Sequence, residues 1–264
     1  SATIRYRPLH KRCATPTRAA YFWAAGHYVK RASSRRDALR RPPVVDSSAR
    51  PSLPDRREAG IALCVATKWA GCRTPAGPVG SWNSPEQALA MTQAQLAWYR
   101  AMEDAGELRQ VRDWPEVESH MQAWRADPDH APIGYILSLE GADSLRTLVD
   151  LERSWEQGLR ALGPAHYGKG RYALGHDQDG PLPEQGRELL REMDRLGLIL
   201  DATHLCDQTF WQALDLFQGP VWASHHNCRA LVDDPRQLAD DQIKALAERG
   251  AVIGLAFDLS LIHI

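Results

Sequence analysis

Five side chains that can bind a metal ion or transfer a proton each follow a short apolar run of the sequence. They are one glutamate, three histidines and one aspartate, namely Glu140, His166, His204, His225 and Asp258. Carboxylates and imidazoles are the usual protein ligands of zinc and similar divalent ions. Because each residue lies at the predicted carboxyl end of a strand, we expect them to converge on one edge of a parallel sheet, where α/β folds place their chemistry.

A single histidine at the end of a strand is more often a hydrogen-bonded loop residue than a metal ligand. His204 and His225 change that balance because they end two consecutive apolar runs. His226 points to the opposite face of its strand, since side chains alternate along a strand, and we expect it to support or pack. His176 lies in a polar loop and has no pattern around it that indicates a function.

The two histidines belong to a strand, helix, strand unit. Residues 198–204 and 221–226 are apolar and predict strands, and a helix is predicted over 207–217 between them, with Asp207 as its N-cap. Short joints between the elements indicate that the two strands are parallel neighbours, because parallel strands need a crossover connection. Both histidines are then expected at the same edge of the sheet.

The rest of the chain repeats this alternation. Further strands are predicted at 61–68, 134–140, 161–166 and 251–258, and helices at 85–105, 114–124, 145–159, 184–196 and 239–248. Ser84 and Pro85 suit the N-cap and the first position of the long helix. The expected fold is α/β, of the (β/α)8 TIM-barrel type but incomplete, with about six βα units and with the first and last strands missing or altered.

Composition divides the chain into three parts. Residues 1–52 form a basic leader rich in Pro, Ser and Arg, 53–258 are expected to form the partial barrel, and 259–264 are a short tail. Residues 1–60 hold 14 basic and 4 acidic residues, hence +10, and the remainder holds 18 and 29, hence −11. The leader suits a transit peptide, a basic arm for nucleic acid or membrane, or a disordered leader, and we favour the last.

The apolar runs and the cysteines also bear on membrane association and cellular location. The chain has no apolar run of the ~20 residues that a membrane-spanning helix needs. Its five cysteines show no CxxC pair, so we predict reduced thiols and a cytoplasmic location. We expect a small-molecule substrate and no nucleic acid as partner, and a homodimer is left open.

Several motifs in one order resemble the renal or membrane dipeptidase family, peptidase family M19. The resemblance covers about residues 53–258 and is densest from Pro132 onward. The stretches that carry it are SLEG at 138–141, GPAHYG at 163–168, GRELLREMDRLG at 186–197, LILDATHL at 198–205, WASHHNCRAL at 222–231 and DPRQL at 234–238.

The resemblance implies a barrel of the amidohydrolase type that holds two zinc ions and hydrolyses dipeptides through a metal-activated hydroxide. It implies that Glu140 bridges the two metal ions and that His204 and His225 bind the second one. It implies that His166 contacts the substrate during catalysis. It also implies that Arg236 binds the carboxylate of the substrate, with Arg229 as the less favoured alternative. A guanidinium suits that role because it can bind a carboxylate through two parallel hydrogen bonds.

The chain departs from the family at two points. No His-x-Asp pair, which holds the other metal in the family, occurs in the N-terminal region, and Asp258 does not match the family's last-strand aspartate. We therefore expect at most one tightly held zinc and weak dipeptide hydrolysis. The alternatives are an amidohydrolase acting on another small amide, lactone or ester, and a non-catalytic degenerate barrel. A basic-arm nucleic-acid binder is the least favoured reading.

Overall fold

The computed structural model describes residues 57, 60–70 and 83–256. The predicted leader, Asp258 and the predicted tail lie outside these residues. Seven strands are described: β1 (Leu63–Trp69), β2 (Leu108–Gln110), β3 (Ile133–Glu140), β4 (Leu159–Gly163), β5 (Ile199–Asp201), β6 (Val221–His226) and β7 (Val252–Leu255). Six helices alternate with them: α1 (Pro85–Asp104), α2 (Trp114–Ala126), α3 (Leu148–Glu156), α4 (Glu184–Leu196), α5 (Asp207–Leu216) and α6 (Asp240–Glu248).

All of the described strands are parallel and form one sheet. Its order is β1-β3-β4-β5-β6-β7, and β2 pairs with the first half of β3. Within the described residues β1 and β7 are the end strands, so the sheet is an open part of a barrel. This confirms the predicted α/β architecture of the incomplete TIM-barrel type, with helices between successive parallel strands.

Strand β3, which lies next to the end strand β1, is buried along almost its whole length. Parallel sheets covered on both faces have strands of this kind, with a nearly continuous apolar sequence. The register places Trp69 of β1 and Gly163 of β4 on either side of Glu140. The last residue of β3 is therefore held between two neighbours at the carboxyl edge of the sheet.

Local signals account for several helix ends. Ser84 accepts a hydrogen bond from the backbone N–H of Gln87, which confirms it as the N-cap of α1. Helix α4 has the predicted bounds and ends at Gly197, whose φ of 67° is in the left-handed region that glycine adopts easily. None of the helices in the described part of the chain is long and apolar enough to cross a membrane.

Some predicted bounds are wrong. The N-cap of α5 is Cys206, not Asp207 as predicted. The carboxylate of Asp207 instead forms a salt bridge with Arg229. Strand β2 has only three residues and was not predicted, because so short a segment shows no alternation. Strands β4 and β5 end earlier than predicted, at Gly163 and Asp201. Helix α3 is shorter than predicted at both ends.

Candidate metal centre

The carboxylate of Glu140 is the centre of a cluster of three imidazoles. Its Oε1 lies 3.1 Å from Nε2 of His204, 3.3 Å from Nε2 of His225 and 3.8 Å from Nε2 of His166. The four residues come from β3, β6 and the segments that follow β4 and β5. The structure thus brings together four of the five predicted residues, and Asp258 lies outside the described residues.

His204 is held in a tight turn just beyond β5. Its φ is 69°, the one positive value at a non-glycine position among the described residues. Such backbone strain is tolerated when the surroundings determine the position, and it is common at functional sites. The side chain is only 3% exposed, and its Nδ1 lies 3.1 Å from Nδ1 of His176. Both ring nitrogens of His204 therefore have partners.

His225 is oriented by the residue that precedes it. The hydroxyl of Ser224 lies 2.8 Å from Nδ1 of His225, on the side of the ring opposite Glu140. The buried carboxylate of Asp201 accepts hydrogen bonds from the backbone N–H groups of Ser224 and Thr203. One carboxylate at the end of β5 therefore fixes the backbone before His225 and the backbone before His204.

His166 is bordered by aromatic rings. The ring of Trp69 meets it edge-on at a centroid distance of 5.2 Å, and the ring of Tyr167 does so at 4.8 Å. Tyr167 is 45% exposed, so it forms part of the rim of the cluster. The same ring lies 4.5 Å from that of His176.

Arg236 contacts the end of β6 and is only 4% exposed. Its Nη2 donates to the backbone carbonyl of His225 at 2.9 Å, and its Nη1 lies 3.2 Å from Nδ1 of His226. His226 is buried on the face opposite His225, as its position in the strand predicts. Arg229, the alternative candidate, binds both carboxylate oxygens of Asp207 at 2.8 Å each.

Burial and charge set the protonation of the cluster. Burial acts to raise the pKa of the Glu140 carboxyl, but the hydrogen bonds and charges of His204 and His225 hold it well below its ordinary value. Burial lowers the pKa of His204 well below its ordinary value, against the hydrogen bond to Glu140, and the positive charge of Arg236 lowers it further. Burial also lowers the pKa of His166, which Glu140 opposes.

These properties suit a bound metal ion. Ligand atoms of Glu140, His166 and His204 all lie within 4.8 Å of one another, and His225 reaches the same carboxylate oxygen. Metal ligands must be ionised carboxylates or neutral imidazoles, and the pKa shifts of Glu140, His166 and His204 favour those forms. The partners on Nδ1 of His204 and of His225 are of the kind that orient metal-binding histidines.

Sequence reasoning missed three residues of this region. His176 comes from a polar loop without periodicity, and Tyr167 is an exposed aromatic residue in the same loop. Ser224 precedes His225 directly, and a hydroxyl next to a candidate ligand was a usable signal for it. No signal in the sequence relates His176 to His204, because only the path of the loop brings them together.

Residues 50–263 match the family model described as membrane dipeptidase, peptidase family M19. Among solved structures, the chain is similar to a metallo peptidase from Rhodobacter sphaeroides, with a TM-score of 0.69, 27% identity, and 79% of this chain and 65% of that chain covered. It is also similar to a dipeptidase of family M19, with a TM-score of 0.67, 29% identity, and coverage of 80% and 64%.

Among curated proteins, the chain is 31% identical over 132 residues to dipeptidase tcpJ of Claviceps purpurea, covering 47% of this chain and 31% of that protein. It is 29% identical over 140 residues to an uncharacterised protein of Acinetobacter calcoaceticus, covering 50% and 44%. The chain therefore spans less than half the length of both of these relatives. With the family model matching most of its residues, the chain belongs to the membrane dipeptidase family, peptidase family M19.

Proposed function

We propose that this chain is a metal-dependent hydrolase that cleaves the peptide bond of dipeptides. The observation that carries the proposal is the convergence of Glu140 with His166, His204 and His225 at the carboxyl edge of the sheet. Membership of family M19 supports the same reaction class. The substrate and the activity of the chain are our proposals.

Glu140, His204 and His225 are the residues we assign to the metal ion, and zinc is the ion we propose. A carboxylate with two imidazoles is a ligand set found at catalytic zinc sites. When bound, zinc polarises a carbonyl and lowers the pKa of a water molecule, which supplies the nucleophile for hydrolysis. The described residues support one such ion, because the Nε2 atoms of His204 and His225 both face the same carboxylate oxygen of Glu140.

His166 is assigned a contact with the substrate. Its Nε2 lies farther from Glu140 than those of His204 and His225, and its neighbour Tyr167 is exposed at the rim. Because its pKa is lowered, the imidazole is neutral at pH 7 and offers one N–H donor and one acceptor nitrogen. It can therefore donate a hydrogen bond to a substrate carbonyl or exchange a proton with it.

Arg236 is assigned an electrostatic role towards the carboxylate of a dipeptide. Its positive charge acts on His166, His176, His204 and His226 and opposes their protonation. The same charge attracts an anionic group that enters the cluster. The Rhodobacter sphaeroides metallo peptidase was solved with a phosphinate mimic of the dipeptide L-Ala-D-Ala, so dipeptides with small side chains are the first substrates to test.

The test measures zinc binding and hydrolysis on the same samples. The chain is equilibrated with zinc, dialysed exhaustively and analysed for zinc content, and the release of free amino acids from alanyl dipeptides is then followed. We expect about one zinc ion per chain in the wild type and loss of zinc and activity in His204→Ala. His130→Ala is the matched control, because His130 is exposed and paired with Asp127 away from the cluster.

Zinc bound equally by the wild type and by His204→Ala would contradict the assigned metal centre. Zinc bound as expected, without hydrolysis of any dipeptide in the panel, would contradict the dipeptidase reaction and leave the metal centre intact. Hydrolysis of a small amide, lactone or ester in that case would favour the alternative amidohydrolase function.

A further inference from the structure

His176 lies behind His204, on the side of the ring that faces away from Glu140. We propose that His176 is a positioning residue that fixes the orientation and the tautomer of His204 and thereby sets the affinity of the metal centre. This inference rests on the proposed function, since it takes His204 to be a metal ligand. It adds a residue that lies outside the cluster around the Glu140 carboxylate.

Glu140, His204 and His176 are joined by two consecutive close contacts. Nε2 of His204 faces Oε1 of Glu140 at 3.1 Å, and Nδ1 of His204 faces Nδ1 of His176, also at 3.1 Å. Both histidines are buried, with 3% and 6% of their surface exposed. A buried ring nitrogen without a partner costs free energy, so each imidazole satisfies the other.

The loop that carries His176 is held close to the cluster by its backbone. Gly175 donates its backbone N–H to the carbonyl of Gly168 at 2.9 Å, and a Cβ atom on Gly175 would lie 2.2 Å from the backbone oxygen of His166. Only glycine permits so close an approach. Gly175 also forms an isolated bridge with Leu205, the residue after His204.

Asp177 and Tyr167 restrict the His176 ring further. The carboxylate of Asp177 accepts the backbone N–H of Gly168 at 2.7 Å. The ring of Tyr167 packs edge-on against that of His176 at a centroid distance of 4.5 Å. The loop backbone and the ring of Tyr167 thus hold the His176 ring in place.

The hydrogen-bond chemistry follows from this arrangement. A neutral imidazole has one N–H group and one acceptor nitrogen. If Nε2 of His204 offers its lone pair to a metal ion, the proton of His204 must lie on Nδ1. Nδ1 of His176 then accepts a hydrogen bond from the Nδ1–H group of His204. Partners of this kind on metal-binding histidines change metal affinity by about 10- to 100-fold when they are removed.

The experiment compares His176→Leu, which removes the acceptor, with His176→Asn, whose Oδ1 can take the place of Nδ1. Zinc dissociation constants are measured by competition with a chromogenic chelator, and thermal unfolding of the metal-free proteins reports on the fold. We expect about 10- to 100-fold weaker binding in His176→Leu and binding within about threefold of the wild type in His176→Asn. His130→Leu is the matched control and should bind like the wild type.

The outcomes separate this inference from the proposed function. Wild-type affinity in His176→Leu, with zinc lost in His204→Ala, would overturn the positioning role and leave the metal centre intact. Equal weakening in His176→Leu and His176→Asn would also overturn it, because the acceptor would then not matter. Zinc retained in His204→Ala would contradict the metal centre itself.

A second measurement needs no variant. In the zinc-loaded chain with 15N-labelled histidine, NMR should show the proton of His204 on Nδ1 and a scalar coupling across the hydrogen bond to Nδ1 of His176. A proton on Nε2 of His204, or no coupling between the two Nδ1 atoms, would overturn the positioning role even if the leucine variant failed to fold.

Discussion

Nε2 of His204 lies 3.1 Å from Oε1 of Glu140, although β4 separates the strands from which the two residues come. The contact is possible because Glu140 ends β3, whereas His204 lies in a turn that extends beyond β5. All three imidazoles of the cluster approach this carboxylate. It is therefore the residue on which the metal centre depends most.

Replacement of Glu140 by Gln should abolish tight zinc binding. The amide keeps the shape of the side chain but loses the negative charge and the anionic ligand atoms. We expect the dissociation constant for zinc to rise more than about 100-fold, beyond the effect of removing an outer hydrogen-bond partner. The measurement is chelator competition, with Glu152→Gln on the exposed part of α3 as the matched control. Equal affinities in the two variants would contradict the assignment of Glu140.

Ser224→Ala should weaken zinc binding by about tenfold, because it removes the hydroxyl that lies 2.8 Å from Nδ1 of His225. Ser154→Ala is a matched control, since the hydroxyl of Ser154 donates to the carbonyl of Asp150 in α3, away from the cluster. Unfolding of the metal-free proteins in urea shows whether stability changes. A fall in affinity that is equal in both variants would speak against a specific role for Ser224.

Arg236→Gln should raise the KM for dipeptides at least about tenfold. The glutamine removes the positive charge that attracts the carboxylate of the substrate. Arg229→Gln is the control, because Arg229 is engaged with Asp207 and should leave KM unchanged. The kinetics are measured with alanyl dipeptides at saturating zinc. An unchanged KM, with lower stability or weaker zinc binding, would mean that Arg236 only supports His225 and His226.

The stability of the metal-free chain should fall as the pH is lowered from 6.5 towards 4. Burial lowers the pKa of His176 from its ordinary 6.5 to about 4, and the charge of Arg236 acts in the same direction, whereas Asp177 and Asp234 oppose it. Between these two pH values the unfolded chain binds the proton and the folded chain does not. The free energy of unfolding therefore decreases on acidification, by about 2 kcal/mol at pH 4.5 for this group.

Urea unfolding in the presence of a chelator, at pH values from 7.5 to 4.5, measures this decrease. His176→Leu should flatten the pH dependence without removing it, because burial also lowers the pKa values of His204 and His226. His130→Leu should not flatten it, since the Asp127 carboxylate raises the pKa of His130. A pH dependence that is the same in the wild type and in His176→Leu would contradict the predicted protonation of His176.

Much of the fold could be predicted from local patterns. The apolar runs, the caps and the glycine stops predicted α1, α4 and the order of the strands, because these signals depend on neighbouring residues only. Periodicity was less useful at the ends of elements. The predicted strands at 161–166 and 198–204 include residues that the structure places in loops, since β4 ends at Gly163 and β5 at Asp201.

The sequence by itself determined the chemical types of the cluster and the sheet edge at which they lie. Glu140, His204 and His225 follow apolar runs of parallel strands, and parallel strands bring their carboxyl ends to one edge. Only the tertiary structure decided which nitrogen of each imidazole faces Glu140, and that His176, Ser224 and Asp201 support the ligands. Those relationships depend on loop paths and side-chain rotamers, which are set by close packing between segments distant in the chain and leave no periodic trace in the sequence.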